Sequence, residues 1–334
     1  MKKGGVSILI STYNGVTKLF ETLKGISQLN SDGIDFVELI IVDNASTDET
    51  ADFAQNTWKE LGESFALTTV KELKPGKLYA QEAGFKIAKG AYIVICDDDN
   101  SLASNYLQIG VEYLTKHPEI GILGGRGIAV STIEIPDWFE EFAYYFACAP
   151  QAPQTGNVMP TRNVVYGAGM WIRKSAYDQA KELGFQFILG SRTGEKLTTG
   201  GEDSELCWAL KLLGFEIWYV DEMQFQHHIP KDRLTMEYRT KLLEGMSSNG
   251  PLSWVYLRIW KNDSTQRVAN YWIKELAYSL RDLLRSFLSK KDREYRKILV
   301  RNIKFYVKYR SEFDKKVNQV ITYRNKCQAY LTNN

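Results

Sequence analysis

Cysteine is scarce and shows no pairing pattern: Cys96, Cys148, Cys207 and Cys327 form no C-x-x-C spacing. That excludes a zinc knuckle and a disulfide framework, and it fits a reducing compartment. Cys96 and Cys207 sit in apolar runs and read as small core residues. Long hydrophobic runs are missing as well. No stretch reaches the roughly 18 apolar residues of a membrane span. The apolar run in "MKKGGVSILIST" falls short of the roughly 7–15 residues of a secretory signal. The chain is therefore expected in the cytoplasm, spanning nothing. Two nucleotide signatures are absent too. There is no G-x-x-x-x-G-K-[ST], hence no P-loop. There is no G-x-G-x-x-G after the first strand, which argues against a dehydrogenase, and "GILGGRG" (121–127) lacks that spacing. No motif points to nucleic acid as a partner.

What is present supports a sizeable core: of 334 residues, 44% are apolar and 25% charged. The length fits one large domain with an appendage, or two domains. The net charge is +2 but unevenly spread. From Arg281 onward there are 15 basic and 5 acidic residues, a net of +10, so the first 280 residues carry a net of −8. An acidic body with a basic tail calls for an explanation.

Strand and helix signals alternate over the first 130 residues. "VSILIST" (6–12) is a continuous apolar strand of the kind buried on both faces of a parallel sheet. "ELIIVD" (38–43), "FALTTV" (65–70) and "AYIVIC" (91–96) are further strands, and "IGILGG" (120–125) begins another. Ser46 with Glu49 reads as a capping box opening a helix through about Leu61. "KLYAQEAGFKIAKG" reads as a helix stopped by Gly90 at C′. A further helix is expected over Ala103 to Lys116 and one from about Lys174. The alternation predicts a doubly wound, mostly parallel α/β sheet flanked by helices. Residues 131–200 are less regular, and from about Met236 the chain reads as helical. The expected division is 1–235 for the nucleotide domain and 236–334 for a basic helical extension.

In such sheets, ligands bind outside the carboxyl ends of the strands. Three ends are polar here: "STYN" (11–14), "DNAST" (43–47) and "DDDN" (97–100). The triplet Asp97, Asp98, Asp99 follows a buried apolar strand, where like charges repel. A divalent cation, magnesium or manganese, would offset that repulsion, since such ions bind through one or two carboxylates plus substrate phosphates. The alternative is an acidic turn capping the helix at Ala103. Asp43 ends a buried strand and suits a hydrogen bond from a nucleotide base, or a plain turn. In "GGEDSEL" (200–206), Glu202 and Asp203 enter a first helical turn. They serve either the helix dipole or general-base catalysis on a hydroxyl. "HHIPKDRL" (227–234) offers His227 and His228 as metal ligands and Arg233 as a phosphate clamp, or else an exposed loop.

Taken in order, "SILISTYN", "VDNASTDET", "KGAYIVICDDDN", "GAGMWIRKSA", "GGEDSEL" and "HHIPKDRL" resemble the family 2 inverting glycosyltransferases of the GT-A fold, over roughly residues 5–235. The resemblance implies roles for the matching positions. Thr12, Tyr13, Asn14, Asp43 and Asn44 would hold the nucleotide. Asp97 would lie near the ribose, with Asp98 beside it. Asp99 would bind the metal, with Asp97 and one of His227 and His228 as further ligands. Arg233 would face the diphosphate. Asp203, supported by Glu202, would take the acceptor proton. Gly169 and Met170 of "GAGM" would border the acceptor. The implied donor is a nucleoside-diphosphate sugar, UDP ahead of GDP and dTDP. The implied acceptor is a saccharide or lipid-linked saccharide of surface polysaccharide assembly. One departure stands out: where many relatives carry A-R-N, the chain reads Ala80, Gln81, Glu82, so donor specificity does not carry over. The rival classes are a nucleotide-sugar-binding protein without turnover and a nucleotidyltransferase. "STYNGVTK" is a poor match to the basic Gly-rich loop of the latter.

In "YWIKELAYSLRDLLRSFL" (271–288), Trp272, Leu276, Leu280, Leu284 and Phe287 share a helical face. That face can pack on the body, or lie in an anionic membrane interface as a peripheral contact. In "IPDWFEEF" (135–142), Trp138 and Phe139 can stack on a sugar acceptor or fill an aromatic core.

Overall fold

β1 (Val6–Thr12) is apolar along its length because both its edges are paired inside a parallel sheet. The computed structural model describes residues 4–189, 200–248, 250–261, 270–288 and 293–333. After β1 come α1 (Leu19–Ser27), β2 (Val37–Asn44), α2 (Thr50–Glu60), β3 (Ala66–Glu72), α3 (Lys77–Ile87) and β4 (Tyr92–Asp97). The short β5 (Asn100–Leu102) precedes α4 (Tyr106–Lys116) and the long β6 (Ile120–Val130). Next are a single turn, α5 (Phe139–Phe142), and β7 (Gly156–Asn157). β8 (Trp171–Arg173), α6 (Lys174–Glu182), α7 (Glu202–Leu212) and β9 (Glu216–His228) complete the sheet and its cover. The remaining described chain is helical: α8 (Met236–Ser248), α9 (Gly250–Lys261), α10 (Tyr271–Leu288), α11 (Arg293–Lys308) and α12 (Arg310–Asn333).

The strands order as β3-β2-β1-β4-β8-β6-β9-β5, with β7 on β9. β3, β2, β1 and β4 are mutually parallel. β8 runs antiparallel between β4 and β6, and β9 pairs parallel with β6. The expected mostly parallel, doubly wound sheet is therefore the observed one. Both faces are covered. Ile8, Ile10, Leu39, Ile41 and Val94 pack under α1, α2 and α4 on one side. Leu9, Ile40, Ile93 and Ile95 pack under α3, α6 and α7 on the other. This alternation is the period-2 consequence of strands buried on both faces.

Two local expectations are corrected. Ser46 does not cap α2; its hydroxyl accepts the Asn14 N–H, and the Thr50 N–H goes to Asp48 instead. Gly90 is not the left-handed stop of α3, whose cap is Ala88. A Cβ on Gly90 would meet the Ser7 backbone nitrogen at 2.6 Å, so glycine is needed there for close strand approach.

The basic extension packs on the sheet domain. Val317, Val320 and Ile321 of α12 and Val255 and Tyr256 of α9 form a core with Ile188, Leu189 and Trp208. Tyr323 donates to the Ala209 carbonyl of α7 at 3.0 Å. The stripe on α10 divides. Trp272 and Leu276 pack inward, whereas Leu280, Leu284 and Phe287 are exposed.

Candidate active site

The parallel register lines up three strand ends. Thr12 pairs with Asp43 across β1 and β2, and Ser11 with Asp97 across β1 and β4. The turn after β1 is held to the turn after β2. Asn14, with φ of 48°, accepts the Thr47 N–H through Oδ1 at 2.9 Å. The Asp43 carboxylate closes its own turn by accepting the Ser46 N–H. Asn44 is buried and clamps the approach to α3: its amide donates to the Glu72 and Lys74 carbonyls and accepts from Gly76 N–H at 2.6 Å. Tyr13 is exposed beside these turns.

The three aspartates diverge, each toward a different cation. Asp97 meets Lys77 Nζ at 2.5 Å. Asp98 accepts the Thr12 hydroxyl at 2.8 Å and lies 3.9 Å from Lys18 Nζ. Asp99 lies 3.0 Å from Arg233 Nη1 and 3.4 Å from His227 Nε2. Burial, reinforced by the charge of Asp99, pushes Asp98 up to about 6. Burial works against the charged form of Asp99, but His227 and then Arg233 outweigh it and hold that carboxyl below its usual range. Burial likewise opposes a charged His227, and the Asp99 carboxylate raises it nevertheless.

The two histidines separate because neighbours along a strand face opposite ways. His228 Nε2 is 2.8 Å from the Ser101 hydroxyl, away from Asp99. His227 Nδ1 is 2.8 Å from the Phe146 carbonyl, which fixes the proton on that nitrogen and turns Nε2 toward Asp99. Among the described residues no group of three His, Cys, Asp or Glu side chains stands ready as a metal cage. Asp99 and His227 nevertheless make a two-donor set whose imidazole tautomer and carboxylate suit a divalent cation, with the remaining positions left for phosphate oxygens.

α7 is capped at Gly201 and has acids in its first turn. Asp203 accepts the Ser204 N–H on Oδ1 at 2.7 Å and the Gly167 N–H on Oδ2 at 3.0 Å. Glu202 is buried and accepts the Gly201 N–H. Gly167 belongs to "GAGM", so that motif supports the acid from behind. The acceptor contact expected of Gly169 and Met170 is corrected. Met170 is fully buried, its carbonyl accepting the Ile95 N–H, and Gly169 lies beneath the Tyr106 hydroxyl. Trp138 sits in an aromatic cluster with Phe139, Phe142 and Phe146, adjoining the carbonyl that holds His227.

Sequence reading missed Lys77 and Glu205. Lys77 opens α3, where the helix dipole disfavours a cation, and that misfit was its one signal. Glu205 is wholly buried: its oxygens accept the Ile188 and Leu189 N–H groups and the Tyr256 hydroxyl. Burial pushes it up to about 7 against those hydrogen bonds.

The model of the glycosyl transferase family 2 matches residues 7–179. A poly-beta-1,6-N-acetyl-D-glucosamine synthase of Staphylococcus epidermidis is 24% identical over 217 residues, 64% of this chain and 48% of that protein. The chain thus spans about half the length of the curated relatives it matches. Among solved structures, S. aureus TarS 1-349 in complex with UDP-GlcNAc aligns with a TM-score of 0.54 and 15% identity, over 100% of this chain and 92% of that one. A mannosyltransferase from Pyrobaculum calidifontis in complex with GDP-Man and Mn2+ aligns with a TM-score of 0.51 and 19% identity, over 96% and 86%. At these identities the likeness is one of fold.

Proposed function

The chain belongs to glycosyl transferase family 2, and on that premise we propose that it transfers a sugar, with inversion, from a nucleoside-diphosphate sugar to an acceptor hydroxyl. The observation that carries this reading is the set of separate ion pairs on Asp97, Asp98 and Asp99 at the joined strand ends. Cations already paired with carboxylates can exchange them for a diphosphate. The nucleotide-sugar complexes of the two fold neighbours support the same substrate class.

The turns carrying Thr12, Tyr13, Asn14 and Asp43 would receive the nucleoside, Asp43 accepting from a base N–H. Asn44 would act by holding the loop that delivers Lys77. Lys77 and Arg233 would swing from Asp97 and Asp99 to the diphosphate and stabilise the charge that grows on it as it leaves. Asp99 and His227 would hold a divalent cation, which supplies Lewis-acid screening of the diphosphate. Asp203 would take the proton from the acceptor hydroxyl. The new bond forms from that oxygen to the anomeric carbon as the carbon–oxygen bond to the diphosphate breaks, so the configuration inverts. The domain division proposed is a catalytic unit over 1–235 and a helical extension over 236–334.

The acceptor proposed is a saccharide or lipid-linked saccharide of cell-surface polysaccharide assembly, met at the cytoplasmic face of the membrane. Support comes from the exposed Leu280, Leu284 and Phe287 of α10 and Val300 and Val307 of α11, with a net charge of +10 on the chain from Arg281 onward. No helix among the described residues is long and apolar enough to cross a membrane. Flotation with anionic liposomes should carry the full chain at low salt and release it at high salt. Retention in the soluble fraction at low salt would remove the membrane part of the reading.

The donor site is tested by calorimetric titration with UDP, GDP and dTDP, each with and without manganese. One nucleotide should bind, and more tightly with the metal. Binding that ignores manganese would remove Asp99 and His227 as its ligands, and no binding at all would overturn the donor assignment.

A further inference from the structure

Several cations of the sheet domain have a carboxylate. Lys77 has Asp97, Arg233 has Asp99, Arg126 has Asp221, and Lys181 has Glu82. Arg162 does not. Its Nη1 donates to the Gln151 carbonyl at 3.2 Å and its Nη2 to the Tyr144 hydroxyl. Its guanidinium carbon lies 4.3 Å from the Tyr144 ring centroid and 5.1 Å from that of Tyr166. Among the described residues no carboxylate is within ion-pair distance of it. A guanidinium is always charged and carries five N–H donors, of which these contacts use two. Ring faces and a carbonyl hold it in place without neutralising it and leave it half-buried, open to an anionic partner.

A second observation falls at the same place. The Tyr166 hydroxyl is buried with no well-formed hydrogen bond, the guanidinium beside it. Like any phenol it is a donor at neutral pH, and burial raises its pKa further. Tyr166 is the residue before Gly167, whose N–H grips Asp203. Arg162 and Asp203 both act electrostatically on the buried Cys207 thiol, so the guanidinium and the hydroxyl beside it lie in the neighbourhood of the acid assigned to the acceptor proton, apart from the aspartate triplet.

We propose that Arg162, clasped by Tyr144 and Tyr166, is an anion-binding subsite for the acceptor, recognising an oxyanion carried near the hydroxyl that is glycosylated. The oxyanion is either a phosphate ester or a sugar carboxylate, both of which match a guanidinium fork. The placement relies on Asp203 as the proposed base, whereas the anion site itself can be measured without any transfer.

The test uses the full chain labelled with 15N-arginine, its donor site saturated with the nucleotide that binds in calorimetry. The Arg162 Nε–H resonance, assigned by its loss in Arg162→Lys, is followed during titration with inorganic phosphate, acetate and chloride at constant ionic strength. Phosphate or acetate should shift that resonance saturably, at about tenfold lower concentration than chloride, as charge-assisted hydrogen bonds dictate. Phosphate leading assigns a phosphate-bearing acceptor, and acetate leading a uronic-type one. Tyr166→Phe should weaken the favoured anion several-fold and leave nucleotide affinity unchanged. A resonance that ignores both anions, or answers chloride equally, overturns the subsite. The nucleotide titration is read separately, so loss of the donor assignment and loss of this subsite are told apart.

Discussion

Two acidic turns, one at the end of β4 and one at the start of α7, are held in different ways. At the end of β4, Asp97, Asp98 and Asp99 are met by the side chains of Lys77, Lys18, His227 and Arg233. At the start of α7, Glu202, Asp203 and Glu205 accept from backbone N–H groups among the described residues, Glu205 also from the Tyr256 hydroxyl. Side-chain cations can swing away to another anion, whereas backbone donors are fixed by the fold. The first turn can exchange partners and the second is anchored in place, which suits the donor site and the base proposed for them.

The sharpest break in this contrast comes from Asp203→Asn. The amide keeps an oxygen for the Gly167 N–H but cannot accept a proton. Turnover should fall by about 10²–10⁴-fold, with nucleotide affinity unchanged by calorimetry. Preserved turnover would remove Asp203 as the base.

Glu205→Gln tests the fixed turn on stability. Its new NH2 would face a donor, so unfolding should cost about 1–3 kcal/mol less than in the parent. The pH dependence sharpens the assignment. Glu205 is raised to about 7 in the fold from an ordinary 4.5. Between those values the folded chain holds a proton that the unfolded chain has released, so stability falls as pH rises through the window. The difference between parent and Glu205→Gln, read by chemical denaturation from pH 5 to 8, should shrink toward pH 8. A constant difference would mean that Glu205 does not titrate there. The smallest effect belongs to the exchangeable turn. Lys18→Ala removes a half-exposed partner 3.9 Å from Asp98 and should change stability by about 0–1 kcal/mol, measured in the same assay.

The strands and the polar strand ends were legible because a buried parallel sheet writes itself as unbroken apolar runs ending in polar residues. "AYIVICDDDN" shows both features in ten letters. What could not be read was pairing across distance. Asp99 and His227 are brought together by β5 pairing with β9, and no local pattern records that contact. Lys77 and Glu205 escaped for the same reason, since each takes its meaning from partners far along the chain. Ser46 misled because its hydroxyl had two possible N–H donors, and tertiary contact with Asn14 won over the local cap. "GAGM" was read as a wall for the acceptor. Its glycines instead let one backbone strip pass under Tyr106 and behind Asp203, which a side chain would block.

The shared carboxylate of Glu205 has a consequence for how such chains can diverge. It binds the backbone just before the base helix with one hand and the Tyr256 hydroxyl of the helical extension with the other. The extension is thus tied by a buried hydrogen bond to the helix that carries Asp203. A hybrid joining this sheet to another relative's helices leaves that buried carboxylate one donor short unless those helices bring a hydroxyl to the same oxygen.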